Sequence, residues 1–488
     1  MAIDEVARTI DLKRGLSSAV PHPAALVPYD FVGSEVKRES LLRLGTWVGQ
    51  NGIAAEGPFQ GARDLLLRRK PRALKLPIER TVKDGQLTKE SKDLVTSLCR
   101  EPSILPIQGP PGSGKTFSGA RMIVELVRAG RRVGITAISH KVISHLLAEA
   151  CKVARQAGVP LRAVQKANET DGCPDELVEQ LDDNAPVLNA LKEGRALVAA
   201  GTGWLWSRSE MYQAVDVLVI DEAGQMCLAD VLAVSQAATS CVLLGDPQQL
   251  DQPQRGVHPP GADGSAFRHL LGDRATILPE QGLFLSETQR LHPDVCGFTS
   301  ELFYEGRLLP AAGNEKQSVN AKGRLSGTGL RFVPVHHSGN QNESGEEVEE
   351  IAKLVRELVN GENTWTNRTG EISQLKLNDV LIVTPYNAQV SALRGALPAG
   401  AHVGTVDKFQ GQEAPVIFYS MATSTATDAP RGMEFLYSSN RLNVAISRAR
   451  CIAVLVASPA LFEMECKNPR QMTLANGFCR YLEKAQRV

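Results

Sequence analysis

Residues 104–121 read ILPIQGPPGSGKTFSGAR, and this stretch decides the fold. Within it, residues 109–116 fit the pattern G-x-x-x-x-G-K-[ST], which is typical of phosphate-binding loops. The apolar run before the pattern predicts a buried strand, and the residues from Thr116 onward predict a helix. Because the pattern requires this strand-to-helix context, the sequence indicates an α/β protein with a nucleoside-triphosphate site.

Each residue type in the loop has an expected role. Gly109, Gly112 and Gly114 allow backbone N–H groups to turn toward phosphates, and the helix N-terminus adds partial positive charge. Lys115 is expected to reach the β- and γ-phosphates, and Thr116 to hold Mg²⁺. The alternative is a glycine-rich turn that binds nothing, and the strand-to-helix context argues against it.

Two further apolar runs end in polar residues. Asp221 and Glu222 follow the run 217–220, and Gln249 follows the run 242–244 after a turn. The carboxyl ends of parallel strands meet at one edge of a sheet, so these side chains are expected beside the phosphate-binding loop. Asp221 would then hold the hydration shell of Mg²⁺, Glu222 would activate the attacking water, and Gln249 would reach the γ-phosphate. An ordinary turn after a strand is the alternative for each.

Composition sets limits on the rest of the chain. Its 488 residues, 43% of them hydrophobic, are enough for two or three domains. Lys plus Arg equals Asp plus Glu at 54 each, which argues against binding duplex DNA by charge alone but leaves room for a narrow single-strand channel. Nine cysteines without a C-x-x-C pair argue against a disulfide framework or a zinc site. With no signal peptide or membrane-spanning run, we expect a cytoplasmic protein without a membrane partner.

Strand and helix patterns alternate in two blocks, which predicts two similar α/β domains with parallel sheets facing a cleft. The predicted domains are an N-terminal accessory region at 1–82, a first domain at 83–285 and a second at 286–488. The predicted strands beyond the first are 132–138, 196–200, 215–220, 241–244, 330–335, 380–384, 402–406, 416–421 and 452–456. The predicted helices include 35–48, 139–154, 346–359 and 387–397. An acidic insertion at 171–186 and an exposed loop at 311–329 complete the pattern.

The accessory region carries a basic run, and two readings of it stay open. The run is either a solvated helix face or a surface that follows phosphates. Its members are Arg63, Arg68, Arg69, Lys70, Arg72 and Lys75.

The order of motifs resembles superfamily 1 helicases. The segment DEAGQ at 221–225 and the segment GDPQQL at 245–250 are similar to motifs II and III of that superfamily. The DEAGQ form resembles the 1B branch, which holds the RNA helicase of nonsense-mediated decay and the nuclease–helicase that processes Okazaki flaps. Sequence segments such as VDKFQGQEAP and RLNVAISRAR also resemble the helicase half of bacterial proteins with a RecB-like nuclease upstream. The resemblance extends over nearly everything after residue 100, with segments similar to motif Ia at 136–141, Ic at Thr202, IV at 384–389, V at 405–413 and VI at 443–450.

The resemblance implies two RecA-like domains that bind ATP and Mg²⁺ between them. Arg290 and Arg448 would be arginine fingers that stabilise charge on the γ-phosphate, with a surface salt bridge as the alternative, and Glu413 would accept from the ribose hydroxyls. The implied strand-binding residues are Ser139, His140, Lys141, Thr202, Pro385, Asn387 and Thr405.

The expected activity is translocation along single-stranded nucleic acid, 5′ to 3′, with unwinding of the duplex ahead. DNA is favoured over RNA because of the nuclease-fused relatives, and the motor is expected to be a monomer that works alone or with a nuclease partner or domain. The alternatives are a nucleotide-switched clamp that does not unwind, an RNA helicase, and an ATPase that remodels a protein. Trp204, Trp206 and Tyr386 are candidates for base stacking, with core packing as the favoured alternative.

Three features depart from the family pattern. No glutamine occurs at 87–91, where the adenine-reading Gln is expected, and Gln289 stands in place of the Tyr that stacks on adenine. Discrimination between ATP and GTP is therefore expected to weaken, unless Gln86, Gln108 or Gln289 supplies the lost contact. The sequence also lacks a nuclease carboxylate–lysine constellation, and 82 residues are too few for that domain.

Overall fold

The structure is a computed structural model that describes residues 2–4, 9–11, 33–75, 77–78, 80–83, 85–168, 170–250, 261–262, 264–409 and 411–488. The first unit, Met1–Glu35, contains the antiparallel strand pair β1 (Ala2–Asp4) and β2 (Thr9–Asp11). The second unit, Val36–Val488, holds everything discussed below.

The helices and strands follow the predicted alternation. The helices are α1 (Glu35–Asn51), α2 (Gln60–Leu66), α3 (Lys89–Ser97), α4 (Lys115–Arg128), α5 (His140–Ala157), α6 (Asn184–Lys192), α7 (Gly203–Trp206), α8 (Leu228–Ser235), α9 (Ala266–Leu271), α10 (Pro293–Phe303), α11 (Gly345–Leu358), α12 (Asn387–Ala396), α13 (Met433–Leu436), α14 (Ser439–Ile446) and α15 (Pro469–Lys484). The further strands are β3 (Val82–Lys83), β4 (Gln86–Leu87), β5 (Ile104–Gln108), β6 (Val133–Thr136), β7 (Ala163–Lys166), β8 (Val178–Leu181), β9 (Val198–Ala200), β10 (Val215–Ile220), β11 (Ala238–Gly245), β12 (Leu283–Phe284), β13 (Glu287–Thr288), β14 (Leu309–Pro310), β15 (Ser318–Asn320), β16 (Gly329–Pro334), β17 (Thr364–Thr366), β18 (Ile372–Gln374), β19 (Val380–Thr384), β20 (His402–Thr405), β21 (Ala414–Ser420), β22 (Ala449–Ala457) and β23 (Gln486–Arg487).

The first large sheet is parallel throughout, in the order β12-β5-β11-β10-β6-β9-β7-β8. Every residue of β5 and β6 is buried, because helices cover both faces of the sheet. One apolar cluster joins the sheet to α3, α4 and α5, and a second joins its other face to α6 and α8. The predicted parallel sheet beside the phosphate-binding loop is confirmed.

The second large sheet is also parallel, in the order β20-β19-β21-β22-β16-β23. Its central strands β19 and β21 are buried along their whole length. The predicted α/β class with two parallel sheets is therefore confirmed. The boundary predicted at 285–286 falls between β12, which belongs to the first sheet, and β13, which pairs with β14; the domain limits stay a prediction.

Two segments for which no strand was predicted contain strands. The acidic insertion supplies β8, which pairs in parallel with β7 at the end of the first sheet. The expected exposed loop at 311–329 supplies β15, which joins β17 and β18 in a small antiparallel sheet. Asn314 in this segment is fully buried, and its amide donates to the carbonyls of Thr288 (2.8 Å) and Leu291 (3.0 Å). The prediction of an exposed loop is wrong here because short strands separated by polar turns have no clear apolar period.

Helices α1 and α2 pack on the first sheet. Leu44 and Leu65 belong to the same apolar cluster as α8, and the Ser40 hydroxyl donates to the carbonyl of Ala233 at 2.7 Å. The Lys37 ammonium lies 3.1 Å from the carboxylate of Asp230 on α8. The residues between Val36 and 82 thus contribute to the core of the first sheet.

One member of the basic run, Arg63, is structural, whereas the other five are exposed. Arg63 is fully buried, and its guanidinium donates to backbone carbonyls of the preceding loop, including those of Ile53 (3.0 Å), Gly57 (3.0 Å) and Pro58 (3.1 Å). Of the other members, Arg69 and Arg72 pair with Asp64, and Lys75 pairs with Glu101. Arg63 is therefore not part of a surface that follows phosphates, because its N–H groups donate to carbonyls inside the protein.

Two absences hold within the described residues. All nine cysteines lie in this part of the chain, and each is a free thiol. Among the residues placed by the structure, none of the helices is both long enough and apolar enough to cross a membrane.

We predict that Arg63→Ala lowers the free energy of unfolding by about 3 kcal/mol, because several buried carbonyls lose a charged donor at once. Arg69→Ala is the matched control, since Arg69 is 43% exposed and its surface ion pair is worth less than about 1 kcal/mol. Thermal unfolding followed by circular dichroism measures both variants. Equal melting temperatures for the two variants would show that the buried guanidinium does not stabilise this loop.

Candidate nucleotide-hydrolysis site

A cleft of about 1340 Å³ brings together residues that follow strands of both large sheets. It contains all of the predicted catalytic and metal-binding residues. The predicted residues that line it are Gly112, Gly114, Lys115, Thr116, Asp221, Glu222, Gln249, Arg290 and Arg448, together with Ser139 and Lys141, which were assigned to nucleic acid.

The phosphate-binding loop closes back on itself. Gly112 and Gly114 have φ of +73° and +81°, in the left-handed region that favours glycine. The Lys115 ammonium donates to the carbonyl of Gly109 at 2.6 Å, and the Gly109 N–H donates to the carbonyl of Gly245 at 2.9 Å. Lys115 is thus held inside the loop, over the end of β11, where a phosphate would replace the carbonyl as its partner.

The loop is pressed against the segment that carries Arg290. A Cβ placed on Gly112 would lie 2.6 Å from the Cβ of Arg290 and 2.7 Å from the hydroxyl oxygen of Thr288. The Thr288 hydroxyl donates to the carbonyl of Pro111 at 2.9 Å, and the Gln289 N–H donates to the carbonyl of Gly112 at 2.8 Å. Only glycine at position 112 allows this approach.

The paired carboxylates occupy different environments. Asp221 is 3% exposed, and one of its oxygens accepts from the Glu222 N–H at 2.8 Å. Burial, together with the charge of Glu222, raises the pKa of Asp221 to about 7, against the opposing charge of Lys115. Glu222 has φ of +51°, a strained conformation for a residue other than glycine, and such strain clusters at functional sites.

Thr116 and Asp221 fit a magnesium ion that is shared with a nucleotide. Mg²⁺ prefers oxygen ligands and is usually bound by one or two protein groups plus substrate phosphates and waters. The described residues contain no group of three or more His, Cys, Asp or Glu side chains that would form an all-protein metal site. A hydroxyl and one buried carboxylate beside a phosphate-binding loop match the sparse donor set that Mg²⁺ needs.

Two glycines bring the ends of β10 and β11 into contact. A Cβ on Gly245 would lie 2.3 Å from the N atom of Gly224, and a Cβ on Gly224 would lie 2.5 Å from the carbonyl oxygen of Asp246. The turn after Asp221 and Glu222 therefore packs directly on the turn that leads to Gln249. This contact places Gln249 in the cleft, where its amide donates to a carboxylate oxygen of Asp246 at 3.0 Å.

Asp246 links this turn to the second sheet, which the sequence did not reveal. The hydroxyl of Tyr304, on the chain after α10, donates to Asp246 at 2.7 Å. Asn443 on α14 donates to the Tyr304 oxygen at 2.9 Å and to the carbonyl of Gln248 at 2.8 Å. Burial raises the pKa of Tyr304 well above its ordinary value, so the hydroxyl remains a donor. Asn443 lies in the motif quoted above, whereas no sequence pattern marks Tyr304.

Arg448 is the buried cation of the cleft. It is 3% exposed, and one of its terminal nitrogens donates to the carbonyl of Gln412 at 3.1 Å. Its Nε is buried and has no hydrogen-bond partner among the described residues. Burial and the neighbouring charge of Arg290 lower the pKa of Arg448 to about 9, while the charge of Glu222 opposes the shift. The guanidinium stays charged at neutral pH and keeps an unused donor.

Arg290 and Glu413 are already paired with each other. The Arg290 guanidinium donates to Glu413 and to the carbonyl of Ser447, the latter at 3.0 Å, and Arg450 donates to the other oxygen of Glu413 at 3.1 Å through Nε. Burial acts to raise the pKa of Glu413, and the charges of Arg290 and Arg450 outweigh it, so the pKa lies below its ordinary value. The predicted ribose contact would require Glu413 to share oxygens that these two arginines occupy.

The residues assigned to nucleic acid follow the carboxyl ends of neighbouring strands. The segment 139–141 follows β6 and Thr202 follows β9, and these two strands are adjacent. Pro385 and Asn387 follow β19, and Thr405 ends the adjacent β20. Ser139 caps α5 by accepting from the Val142 N–H at 3.4 Å, and burial lowers the pKa of His140. Their roles in binding a strand stay a prediction.

The three aromatic candidates differ in exposure. Trp206 is 1% exposed, and its indole N–H donates to the carbonyls of Ile135 (3.1 Å) and Gly201 (3.0 Å), so it is a core residue. Tyr386 is 6% exposed and also packs in the core. Trp204 is 38% exposed, and the Lys37 ammonium lies 3.9 Å from the centre of its ring.

Comparison with known families matches both halves of the chain. One model described as an AAA domain matches residues 86–274, and another described as an AAA domain matches residues 262–460. The similar curated proteins described next are helicases by name.

Three relatives indicate how far the similarity extends. Helicase sen1 of Schizosaccharomyces pombe is 29% identical over 49% of this chain and 14% of its own length. DNA polymerase alpha-associated DNA helicase A of the same yeast is 25% identical over 70% of this chain and 59% of its own length. DNA replication ATP-dependent helicase/nuclease DNA2 of Gallus gallus is 24% identical over 78% of this chain and 38% of its own length. The chain therefore spans less than two thirds of each of these relatives.

Solved structures include an arterivirus nonstructural protein 10 (helicase) in complex with DNA. It is 15% identical to this chain, with a TM-score of 0.39, and the match covers 75% of this chain and 62% of that one.

We predict that Lys115→Ala and Glu222→Gln separate nucleotide binding from hydrolysis. Loss of Lys115 removes a charge from the phosphates and should weaken both, whereas Glu222→Gln keeps its size and removes only the base. ATP should therefore still bind the Glu222→Gln variant while kcat falls by roughly 100-fold or more. Equilibrium binding of a fluorescent ATP analogue and phosphate release measure the two properties.

Lys152→Ala and Glu193→Gln, two exposed positions outside the cleft, are the controls. Wild-type turnover in Glu222→Gln would remove Glu222 from the mechanism.

Proposed function

We propose that this protein is an ATP-driven translocase of the 1B branch that moves 5′ to 3′ on single-stranded nucleic acid and unwinds the duplex ahead. The observation that carries the proposal is the composition of the cleft. Lys115 and Glu222 belong to the part of the chain that forms the first sheet, whereas Arg290 and Arg448 belong to the part that forms the second. A site completed by both parts makes hydrolysis depend on how they are positioned, which is what a motor requires.

The protein's own residues would divide the chemistry between them. Lys115 and the backbone N–H groups of its loop bind the phosphates, and Glu222 takes the proton of the attacking water. Magnesium held by Thr116 and Asp221 would neutralise phosphate charge when bound. Arg448 would turn its unused Nε donor and its charge toward the γ-phosphate, where negative charge is greatest in the transition state.

The proposed strand path runs over the ends of four strands. Ser139, His140, Lys141 and Thr202 would contact the strand from the first domain, and the second domain would contribute Pro385, Asn387 and Thr405. Hydroxyls and amides at strand ends can bind phosphates without net positive charge, which agrees with the equal numbers of acidic and basic residues. Ser139 and Lys141 also line the nucleotide cleft, and this supports communication between the two ligands.

Several finer features belong to the same proposal. The proposed domains are 83–285 and 286–488, with 1–82 as an accessory region whose α1 and α2 pack on the first sheet. The protein acts as a monomer, and DNA is the preferred strand, with repair or replication as the setting. A relation to RecB-like nuclease–helicases and a nuclease partner follow from the sequence resemblance alone. Cytoplasmic location stays a prediction.

The deciding experiment measures the ATPase rate with no nucleic acid, with single-stranded DNA and with single-stranded RNA, followed by strand displacement on 5′- and 3′-tailed duplexes. We expect stimulation by single strands, more by DNA than by RNA, and displacement on the 5′-tailed substrate. Stimulation without displacement would favour a nucleotide-switched clamp, and greater stimulation by RNA would favour an RNA helicase. An ATPase indifferent to both nucleic acids would overturn the proposal and favour a protein-remodelling enzyme.

We predict that Arg448→Ala leaves ATP affinity nearly intact and lowers stimulated turnover by roughly 100-fold or more, as loss of an arginine finger does. The matched control is Arg480→Ala, because Arg480 is a partly exposed arginine paired with Glu301 and Glu483 outside the cleft. Stimulated phosphate release and nucleotide binding are measured on both variants. Unchanged stimulated turnover in Arg448→Ala would remove this arginine from the reaction.

A further inference from the structure

A buried tyrosine lies behind the cleft, where the two large sheets approach each other. Tyr304 directly follows α10 and is fully buried, and its ring packs against Phe284 with the ring centres 6.3 Å apart. Tyr304 is not among the described residues that line the cleft, so it is not placed to touch a nucleotide. Any role in the reaction must therefore act through the groups to which its hydroxyl is bonded.

The Tyr304 hydroxyl makes one hydrogen bond toward each sheet. It donates its hydrogen to the carboxylate of Asp246 at 2.7 Å, and its oxygen accepts from the side-chain amide of Asn443 at 2.9 Å. Asp246 directly follows β11 of the first sheet, whereas Asn443 lies on α14, which packs on β21 and β22 of the second. Because a hydroxyl can donate and accept at once, a single oxygen atom joins the two sides.

Helix α14 also holds the turn that leads to Gln249. The Asn440 amide donates to the carbonyl of Gln249 at 2.5 Å. The Asn443 amide, one helical turn further along the same face, donates to the carbonyl of Gln248 at 2.8 Å. Asn443 is fully buried and Asn440 is 9% exposed, so water competes little for these bonds. The turn at 246–249 is therefore fixed against α14.

The helix and the turn each lead to a group of the proposed hydrolysis site. Helix α14 ends at Ile446, and Arg448 lies just beyond that end. On the other side, Gly245 packs on Gly224, which belongs to the turn of Glu222. A movement of α14 away from the turn would therefore displace Arg448 relative to Glu222. A misplacement of about 1 Å can lower a reaction rate by about 100-fold.

Tyr304 differs in this respect from two other buried tyrosines of the second half of the chain. The Tyr437 hydroxyl donates to the carbonyl of Leu461 at 2.6 Å, and the Tyr481 hydroxyl donates to the carbonyl of Ala453 at 2.8 Å. Both acceptors belong to the same apolar cluster as the tyrosines themselves. Those two hydroxyls stabilise packing within one cluster, whereas the Tyr304 hydroxyl joins a carboxylate beside the first sheet to a helix of the second.

We propose that Tyr304 is a positioning residue that sets the place of Arg448 relative to Gln249 by holding α14 against the turn at 246–249. This role rests on the proposed function, in which Arg448 and Gln249 act on the same γ-phosphate. The role can be tested without emptying the core, because Tyr304→Phe keeps the ring. The Asp246 carboxylate then still accepts from the Gln249 amide at 3.0 Å and from the Gln248 N–H at 3.1 Å.

The experiment combines Tyr304→Phe with Arg448→Ala in a double-mutant cycle of single-turnover phosphate release in the presence of single-stranded DNA. Tyr304→Phe alone should leave the Kd for a fluorescent ATP analogue within about twofold and lower the rate roughly tenfold, because Arg448 is present but misplaced. In the Arg448→Ala background the same substitution should change the rate by less than about twofold, since no guanidinium is left to position. A tenfold loss in both backgrounds, or a wild-type rate in Tyr304→Phe, would overturn the inference.

Hydrogen exchange tests the contact itself without any need for hydrolysis. Backbone amides of α14 should exchange faster in Tyr304→Phe than in the wild type, and unchanged exchange would also overturn the inference. Tyr481→Phe is the matched control, because it loses a buried hydroxyl outside the cleft and should keep the wild-type rate of phosphate release and of α14 exchange. If the wild type hydrolyses no nucleotide, or if Arg448→Ala keeps the wild-type rate, the proposed function fails instead, and the exchange of α14 still decides whether Tyr304 holds this helix.

Discussion

The buried carboxylate of Asp246 ties the two sheets together. It accepts from the Tyr304 hydroxyl at 2.7 Å and from the Gln249 amide at 3.0 Å, and Asn443 on α14 donates to the same tyrosine. A buried charge destabilises the folded protein unless hydrogen-bond donors surround it. Removal of the Tyr304 hydroxyl or the Gln249 amide would therefore leave the buried Asp246 carboxylate short of a donor. Gln249, a residue of the cleft, is therefore linked through Asp246 to Tyr304 and to the second sheet.

Close backbone packing sets the geometry of the cleft. Gly224 and Gly245 allow the ends of β10 and β11 to touch, and Gly112 allows the phosphate-binding loop to touch the segment before Arg290. Glu222 has a left-handed backbone conformation at the first of these contacts. Strain of this kind persists only where the surroundings enforce it, and here two turns pack directly on each other through Gly224 and Gly245. The glycines of these motifs therefore serve packing.

The sequence predicted the parts of the molecule that have strong local signals. Apolar runs located the central strands, and the G-x-x-x-x-G-K-[ST] pattern located the loop at Lys115. Strand β8 was not predicted, because a polar strand at the end of a sheet lacks an apolar run. The buried Asn314 was wrongly predicted to lie in an exposed loop. Arg63 was also misread, since composition cannot show that a cation donates to carbonyls of its own loop. Tyr304 was missed because its link to Asp246 arises only from a contact between residues far apart in sequence.

One side chain connects the Arg290–Glu413 pair to the small antiparallel sheet. Arg450 pairs with Glu413, which holds Arg290, and the Arg450 guanidinium also lies 5.7 Å from the centre of the Trp365 ring. Trp365 belongs to β17, which leads directly into the turn of Arg368. Protein engineers who shorten or graft this hairpin would therefore also disturb the support of Arg290, an arginine of the cleft. Point substitutions at its tip would leave that support in place.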